Sequence, residues 1–262
     1  MLKLFKIEIR RGIINLRFLL VIILGFLICY YGLTDYMSFG THRIENYRNA
    51  YQAWFNALGN GTKAFYILLA PLFCTLPYAD SFFYDKNSGY LRNIIHRISY
   101  KKIIFSKIIA NGIVSGLTIF ITLGVFFIYC CILYPAKLPN VPFTSWNFFP
   151  QGMFSNVFLT YPTLYILINL VQAFIFGFIF STFGLAFSFI VTRKQLIFII
   201  PEVLYIVMNL IREFFEILRF SSVQLLFPWK SGSTNIFIVT IEFVIILAIS
   251  LIIIYKGKDE VY

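Results

Sequence analysis

From Ile108 to Pro135 not one side chain is charged, and the same holds from Tyr161 to Thr192. A helix rises about 1.5 Å per residue, so roughly 20 apolar residues cross a hydrocarbon core of about 30 Å. Runs of this length fix the solvent before they fix anything else. Four more runs, at about 18–34, 64–84, 196–210 and 234–255, bring the expected spans to six. The fold class is therefore an all-α integral membrane protein with six transmembrane helices in a single domain, 1–262. Composition agrees. Charged residues make up 13% of the chain, against roughly 25% in soluble domains, and mean hydropathy is +0.82. Removing the apolar runs leaves no stretch long enough for a separate soluble domain.

Spans three and four are long, which tilt or extension past the bilayer absorbs. Span five is short: it lies between Lys194 and Arg212 and is interrupted by Pro201. The stretch after it, "REFFEILRFSSVQLLFPW", is apolar yet carries Arg212, Glu213, Glu216 and Arg219. We expect an extracellular re-entrant helical hairpin there, before the last span, because non-helical backbone at that depth needs cover from protein or water. Small residues four apart (Gly112 and Gly116; Gly177 and Ser181; Gly184 and Ser188) let spans three and four approach neighbours closely.

Six spans put both termini on one side, and the basic residues choose which. Segments 1–17, 85–107, 193–195 and 256–262 hold 15 of the 22 Lys and Arg; the opposite loops, 35–63, 136–160 and 211–233, hold 7. The positive-inside bias makes the first set cytoplasmic. The same distribution explains the net charge of +11 without nucleic acid, since the charges flank apolar runs and form no continuous basic face. No small-residue cleavage site ends the first run, so no cleaved leader is expected. Before that run, "MLKLFKIEIRRGIINLRF" places Leu2, Phe5, Ile9 and Ile13 on one helical stripe and Lys3, Lys6, Arg10 and Arg17 on the next. Leu4 and Ile7 fall off the apolar stripe. The segment reads as an amphipathic interfacial helix in the headgroup layer, or as a plain cytoplasmic extension of span one.

Catalytic signatures are missing. No HExxH, GxSxG or GxxxxGK[ST] occurs, and "GNGTK" at 59–63 has the wrong spacing for a phosphate loop. Cys29, Cys74, Cys130 and Cys131 sit in apolar runs without metal-ligand spacing. His42 and His96 fall on opposite sides of the membrane. The chain is not expected to be an enzyme, to bind a metal or to carry a cofactor. Within the spans, Glu202 and Glu242 are costly if ionised unless paired or wet. Glu242, Asn169 and Gln172 share a depth in the outer half of the membrane, while Glu202 lies nearer the inner boundary with a different partner. They read either as polar residues of a translocation path or as interhelical hydrogen bonds fixing the bundle, with Glu242 protonated.

The passage "SGYLRNIIHRISYKK" (88–102) combines a helical stripe of Leu91, Ile94, Ile95 and Ile98 with Arg92, Arg97, Lys101 and Lys102. Such a helix suits a protein groove or the membrane surface. In its wider setting, "YADSFFYDKNSGYLRNIIHRISYKKIIFSKIIANG", it resembles the inner loop of the type 2 ABC-transporter permeases. That family has an acidic residue, a glycine a few positions on, a short helix, a basic residue near a turn and a lysine at the start of span three. Asp85, Gly89, Leu91–Ile95, Arg97 and Lys107 occupy these places. Ser99 stands where many relatives have proline, and can N-cap the next helix. The amphipathic opening, six spans and pre-span-six hairpin extend the likeness over nearly the whole chain.

The resemblance implies that 88–98 is a coupling helix docked in a separate ABC ATPase subunit through Asp85, Gly89, Leu91, Arg92, Ile94, Ile95, Arg97 and Ile98. ATP and Mg would be held by that partner. The chain would be the permease subunit of an exporter, paired with a second permease subunit as homodimer or heterodimer. It would move a hydrophobic or amphipathic cargo, such as a peptide, bacteriocin or drug, across a bacterial cell membrane by alternating access. The alternatives are a non-transporting membrane scaffold or sensor subunit and, weakest, an intramembrane enzyme using Glu202 or Glu242.

Overall fold

The computed structural model describes residues 2–38, 49–60, 63, 65–138, 153–214, 223–228 and 235–257. Among these all regular structure is helical: α1 Leu2–Ile13, α2 Leu16–Ser38, α3 Ala50–Phe55, α4 Tyr66–Thr75, α5 Ser81–Asn87, α6 Tyr90–Ile95, α7 Tyr100–Leu133, α8 Ser155–Thr160, α9 Pro162–Phe187, α10 Gln195–Phe214, α11 Val223–Leu226 and α12 Ile236–Gly257. A π-helical turn, Asn56–Asn60, prolongs α3. Four helices are long and apolar enough to cross a membrane: α2, α7, α9 and α12.

The polarity of the bundle is inverted relative to a soluble protein. Leu19, Ile23, Leu27, Ile128, Val171, Ile241, Ile245 and Ile252 are among the exposed residues, whereas Asn111, Ser115, Thr118, Ser181, Thr182 and Ser250 are buried. A surface of that kind in water would aggregate; against lipid tails it is at no disadvantage. The hydroxyls of Thr118, Ser181, Thr182 and Ser250 donate back to their own helices, as Thr118 to Val114 O (2.8 Å) and Ser250 to Ile246 O (2.7 Å). The fold is that of a multi-pass membrane protein.

The central pair is α7 and α9. Their small residues do what the sequence spacing suggests. A Cβ on Gly177 would lie 3.0 Å from both Gly116 Cα and Ser115 O, and one on Gly112 would strike the Phe178 ring. Asn111 Nδ2 donates to Ser181 Oγ across the seam (3.2 Å). Helix α7 has 34 residues and runs about 50 Å at 1.5 Å per residue, longer than a hydrocarbon core of about 30 Å. Ser99 takes the N-cap position of α7, but its side chain makes no capping hydrogen bond.

The expected second span, 64–84, is two helices. Helix α4 ends at Thr75, residues 76–80 turn, and α5 begins at Ser81. Pro77 accounts for the break, since it removes an N–H and disfavours helix at the preceding residue. Pro71 sits inside α4. The fifth run forms an unbroken helix, α10, that accommodates Pro201 and continues to Phe214.

At the end of the bundle opposite α5 and α6, residues of the loops turn inward. Every residue of α3 is buried, and Trp54 Nε1 donates to Leu123 O (3.3 Å). Gly32 of α2 has to be glycine here, because its Cβ would fall 2.4 Å from Ala57 O. Leu225, Leu226 and Phe227, in and beside α11, are fully buried. For the hairpin expected in 211–233, residues 215–222 and 229–234, with Glu216 and Arg219, lie outside the described residues, as does His42.

Candidate functional site

Helix α1 packs on α7 through Leu4, Glu8 and Gly12, which are buried, while Lys3, Lys6 and Arg10 face outward. The buried stripe is thus displaced from the expected Leu2–Phe5–Ile9–Ile13 stripe: Phe5 and Ile9 are half-buried and Ile13 is exposed. Gly12 is needed for the approach, since a Cβ there would meet Val114 Cγ2 at 2.6 Å. The packing puts a carboxylate, Glu8, against the start of α7. Only a matching cation makes that tolerable.

Lys107 supplies it. Its Nζ lies 3.3 Å from Glu8 Oε2 and 2.6 Å from Asp85 Oδ2. Arg11 completes the ring: its NH2 is 3.0 Å and its NH1 3.3 Å from the two Asp85 oxygens, and its NH1 is 3.5 Å from Glu8 Oε2. Tyr78 donates its hydroxyl proton to Glu8 Oε2. Two carboxylates and two cations alternate, so the cluster is neutral as a whole. Glu8, Lys107 and Asp85 are 1%, 1% and 3% exposed. Burial pushes Asp85 upward, but the hydrogen bond from Arg11 and the charge and hydrogen bond of Lys107 outweigh it, leaving the carboxyl below its ordinary range. The Asp85 hydrogen bond outweighs desolvation at Arg11, which is held more firmly protonated than usual.

This cluster abuts the basic passage. Arg11 also stacks its guanidinium over the Tyr90 ring, 5.6 Å from the centroid, at the first residue of α6. Between α5 and α6 the chain turns at Gly89, whose φ of 73° is a left-handed conformation that side-chain-bearing residues adopt at a cost. Lys86 Nζ donates to Phe189 O (3.3 Å) just past the end of α9, and Phe82 stacks on Phe189 at 3.7 Å. The segment 81–98 is therefore bonded to α1, α7 and the C-terminal end of α9 at once.

The apolar stripe of the passage is largely used inside the chain. Leu91 is 3% exposed and packs in one cluster with Leu4, Phe82, Tyr100, Ile103 and Phe189; Ile94, Ile95 and Ile98 lie half-buried against it. The exposed face carries Arg92, Asn93, His96 and Arg97, continued by Lys101 and Lys102 on α7. Of the residues expected to dock a partner, Asp85 and Leu91 are interior, Gly89 turns the corner, and Arg92 and Arg97 are the charged surface.

Of the polar residues in the apolar helices, Asn169, Gln172 and Glu202 bond to backbone groups. Asn169 Nδ2 donates to Tyr165 O of its own helix (2.8 Å), and Gln172 Nε2 to Leu225 O beside α12 and α9 (3.0 Å). Glu242 lies on the buried face of α12 with Val239, Phe243 and Ile246, and α12 packs on α9. Glu202 Oε2 accepts from the Leu72 N–H (2.9 Å), tying α10 to α4. Gln172 also lines an apolar groove of about 490 Å³ between α9 and α12, with Leu167, Val171, Ile175, Val239 and Phe243.

Sequence reasoning placed Asp85, Gly89 and Lys107 in this region but missed Glu8, Arg11 and Tyr78. Their one signal is the four-residue spacing of Leu4, Glu8 and Gly12, which puts a carboxylate on the same face as a glycine. Among the described residues no group of His, Cys, Asp and Glu could hold a metal ion. No family model, no curated protein and no solved structure matches this chain.

Proposed function

We propose that this chain is the permease subunit of an ATP-driven exporter resembling the type 2 ABC transporters, with ATP and Mg bound by a separate ATPase subunit. It moves a hydrophobic or amphipathic cargo, such as a peptide, across a bacterial cell membrane. In this reading α4, its turn and the first residues of α5, to about residue 84, form the second crossing and α10 the fifth, giving six crossings with both termini cytoplasmic. Helix α10 suits a crossing: Leu196, Ile199, Val203, Val207 and Leu210 are exposed and apolar, while Tyr205 is buried. The buried outer residues Leu225, Leu226 and Phe227 suit an outer hairpin that dips between spans.

One observation carries the reading. Asp85, in the helix that leads into α6, is bonded both to α1 through Arg11 and to α7 through Lys107. A push on α6 from a cytoplasmic partner passes through this junction to two other helices rather than dissipating in a loop. Helix α7 then transmits it along its close seam with α9. A second permease subunit, a copy or a relative, completes the pathway, and alternating access follows from the two bundles rocking against each other.

The partner meets the exposed Arg92, His96 and Arg97 face, whose charges set register and association rate more than affinity. The double variant Arg92→Glu/Arg97→Glu, at surface positions, tests this. Co-purification with a candidate ATPase subunit and ATP-dependent peptide uptake into inverted vesicles should both fall at least about tenfold, with the permease still monodisperse. Undiminished co-purification and uptake, or a wild-type chain that holds no ATPase subunit, would overturn the reading in favour of a non-transporting scaffold.

A further inference from the structure

A second polar site adjoins the Asp85 ring, sharing Arg11 and Tyr78 with it, and opens at the junction of α1 and α2. It is a cleft of about 210 Å³ lined by Arg11, Asn15, Arg17, Tyr78, Asp80, Ser81 and Tyr84. Arg17 NH1 is 2.6 Å from Asp80 Oδ2, and its NH2 donates to Tyr84 Oη at 3.4 Å. Lys194, arriving from the connection between α9 and α10, donates to the same Tyr84 oxygen at 3.5 Å. A phenol that accepts from two cations has its own proton free to donate to a third group. Ser81 is 5% exposed, lines the cleft, and its Oγ has no hydrogen-bond partner among the described residues. Arg17, the Tyr84 proton and the Ser81 hydroxyl line the cleft as donors, Lys194 stands at its edge through its bond to Tyr84, and Asp80 is paired with Arg17.

The surroundings indicate what ligand this donor set would take. Ile14 and Leu16 are 71% and 70% exposed beside Asn15 and Arg17, and Leu19 and Leu20 continue the apolar face up α2. Charge and grease meet at the first turn of an apolar spanning helix, which is the depth of lipid headgroups. Lys3, Lys6 and Arg10 on the exposed side of α1 add positive potential nearby.

We propose that this cleft binds the phosphate of an anionic phospholipid headgroup, with Arg17, Lys194, Tyr84 and Ser81 as donors and the acyl chains lying along Leu16, Leu19 and Leu20. Full-length chain purified in mild detergent is titrated with short-chain phosphatidylglycerol or, as control, phosphatidylcholine, and retention is read by native mass spectrometry. Lys194→Gln, an exposed position outside the buried packing, should weaken phosphatidylglycerol retention about tenfold, and Arg17→Gln at least as much. Lys3→Gln/Lys6→Gln, off the cleft, should leave it within about twofold. Inorganic phosphate at millimolar concentration should not compete. Unchanged retention in Lys194→Gln, an equal loss in the Lys3/Lys6 variant, or full competition by inorganic phosphate would each overturn the proposal.

Discussion

Lys107 Nζ lies 2.6 Å from Asp85 Oδ2, with both side chains buried, one near the start of α7 and the other in α5. The pair joins the base of the longest helix to the segment that carries α6, and Glu8 and Arg11 close the ring around it. Removing one member of such a ring leaves an unbalanced buried charge, which typically destabilises by about 3–5 kcal/mol. Lys107→Met should therefore be severe, lowering the thermal midpoint in detergent strongly or abolishing recovery from membranes. Adding Glu8→Gln to Lys107→Met removes a second charge and should restore part of the loss. A double-mutant cycle measures it, and additive effects would show that the pair is not coupled.

The ring also sets an acid limit. Asp85 is depressed below its ordinary value of 3.8 in the folded chain. A depressed carboxylate contributes stability that is complete above the unfolded value and is lost as pH falls through the folded one. The thermal midpoint of the wild-type chain should thus show no loss from Asp85 between neutral pH and about pH 5, and decline only below the ordinary carboxylate range. In Asp85→Asn the contribution is absent at every pH, so the midpoint should be lower at neutrality and the acid decline shallower. Equal acid slopes in the two proteins would place the titrating group elsewhere.

The α7–α9 seam distinguishes glycines that are required from those that are not. Gly177→Ala puts a methyl group 3.0 Å from backbone atoms of Ser115 and Gly116, which cannot move aside as a side chain could. Overpacking of this kind should cost about 1–3 kcal/mol. Gly124→Ala, in the same helix as Gly116, meets only Leu170 Cδ1 at 3.9 Å, and helix propensity favours alanine by up to about 1 kcal/mol. Thermal unfolding in detergent should move in opposite directions for the two variants.

Much of the bundle was legible because hydrocarbon thickness imposes run length, and α2, α7, α9 and α12 have it. The glycine and serine spacing on spans three and four likewise anticipated their close packing. What escaped was set by pairs far apart in sequence. Glu8 looks like a stray acid in a basic amphipathic helix until Lys107, distant in the chain, is packed against it. The stripe on 91–98 suits a partner's groove or the membrane surface, yet Leu91 is packed against the chain's own Leu4, Phe82 and Phe189. Periodicity reports that a face is apolar and is silent about what covers it. The burial of α3 was equally hidden, since "AYQAWF" carries no run long enough to mark an inserted helix.

Glu202 illustrates how a carboxylate in an apolar helix can serve structure. Pro71 lies inside α4, and the N–H of the next residue, Leu72, donates to Glu202 Oε2 at 2.9 Å. Replacing Glu202 by Leu keeps the volume roughly constant but strands that N–H, at a typical cost of about 1–3 kcal/mol. Glu202→Gln retains a carbonyl oxygen in the same place and should stay within about 1 kcal/mol of the wild type, whether or not the carboxyl is ionised. The two variants, compared by thermal unfolding in detergent and by cargo uptake in vesicles, separate a structural from a transport role. If the residue holds α10 to α4, Glu202→Leu falls in stability and Glu202→Gln in neither assay; a Glu202→Gln chain that is stable but inactive would instead assign the carboxyl to the path.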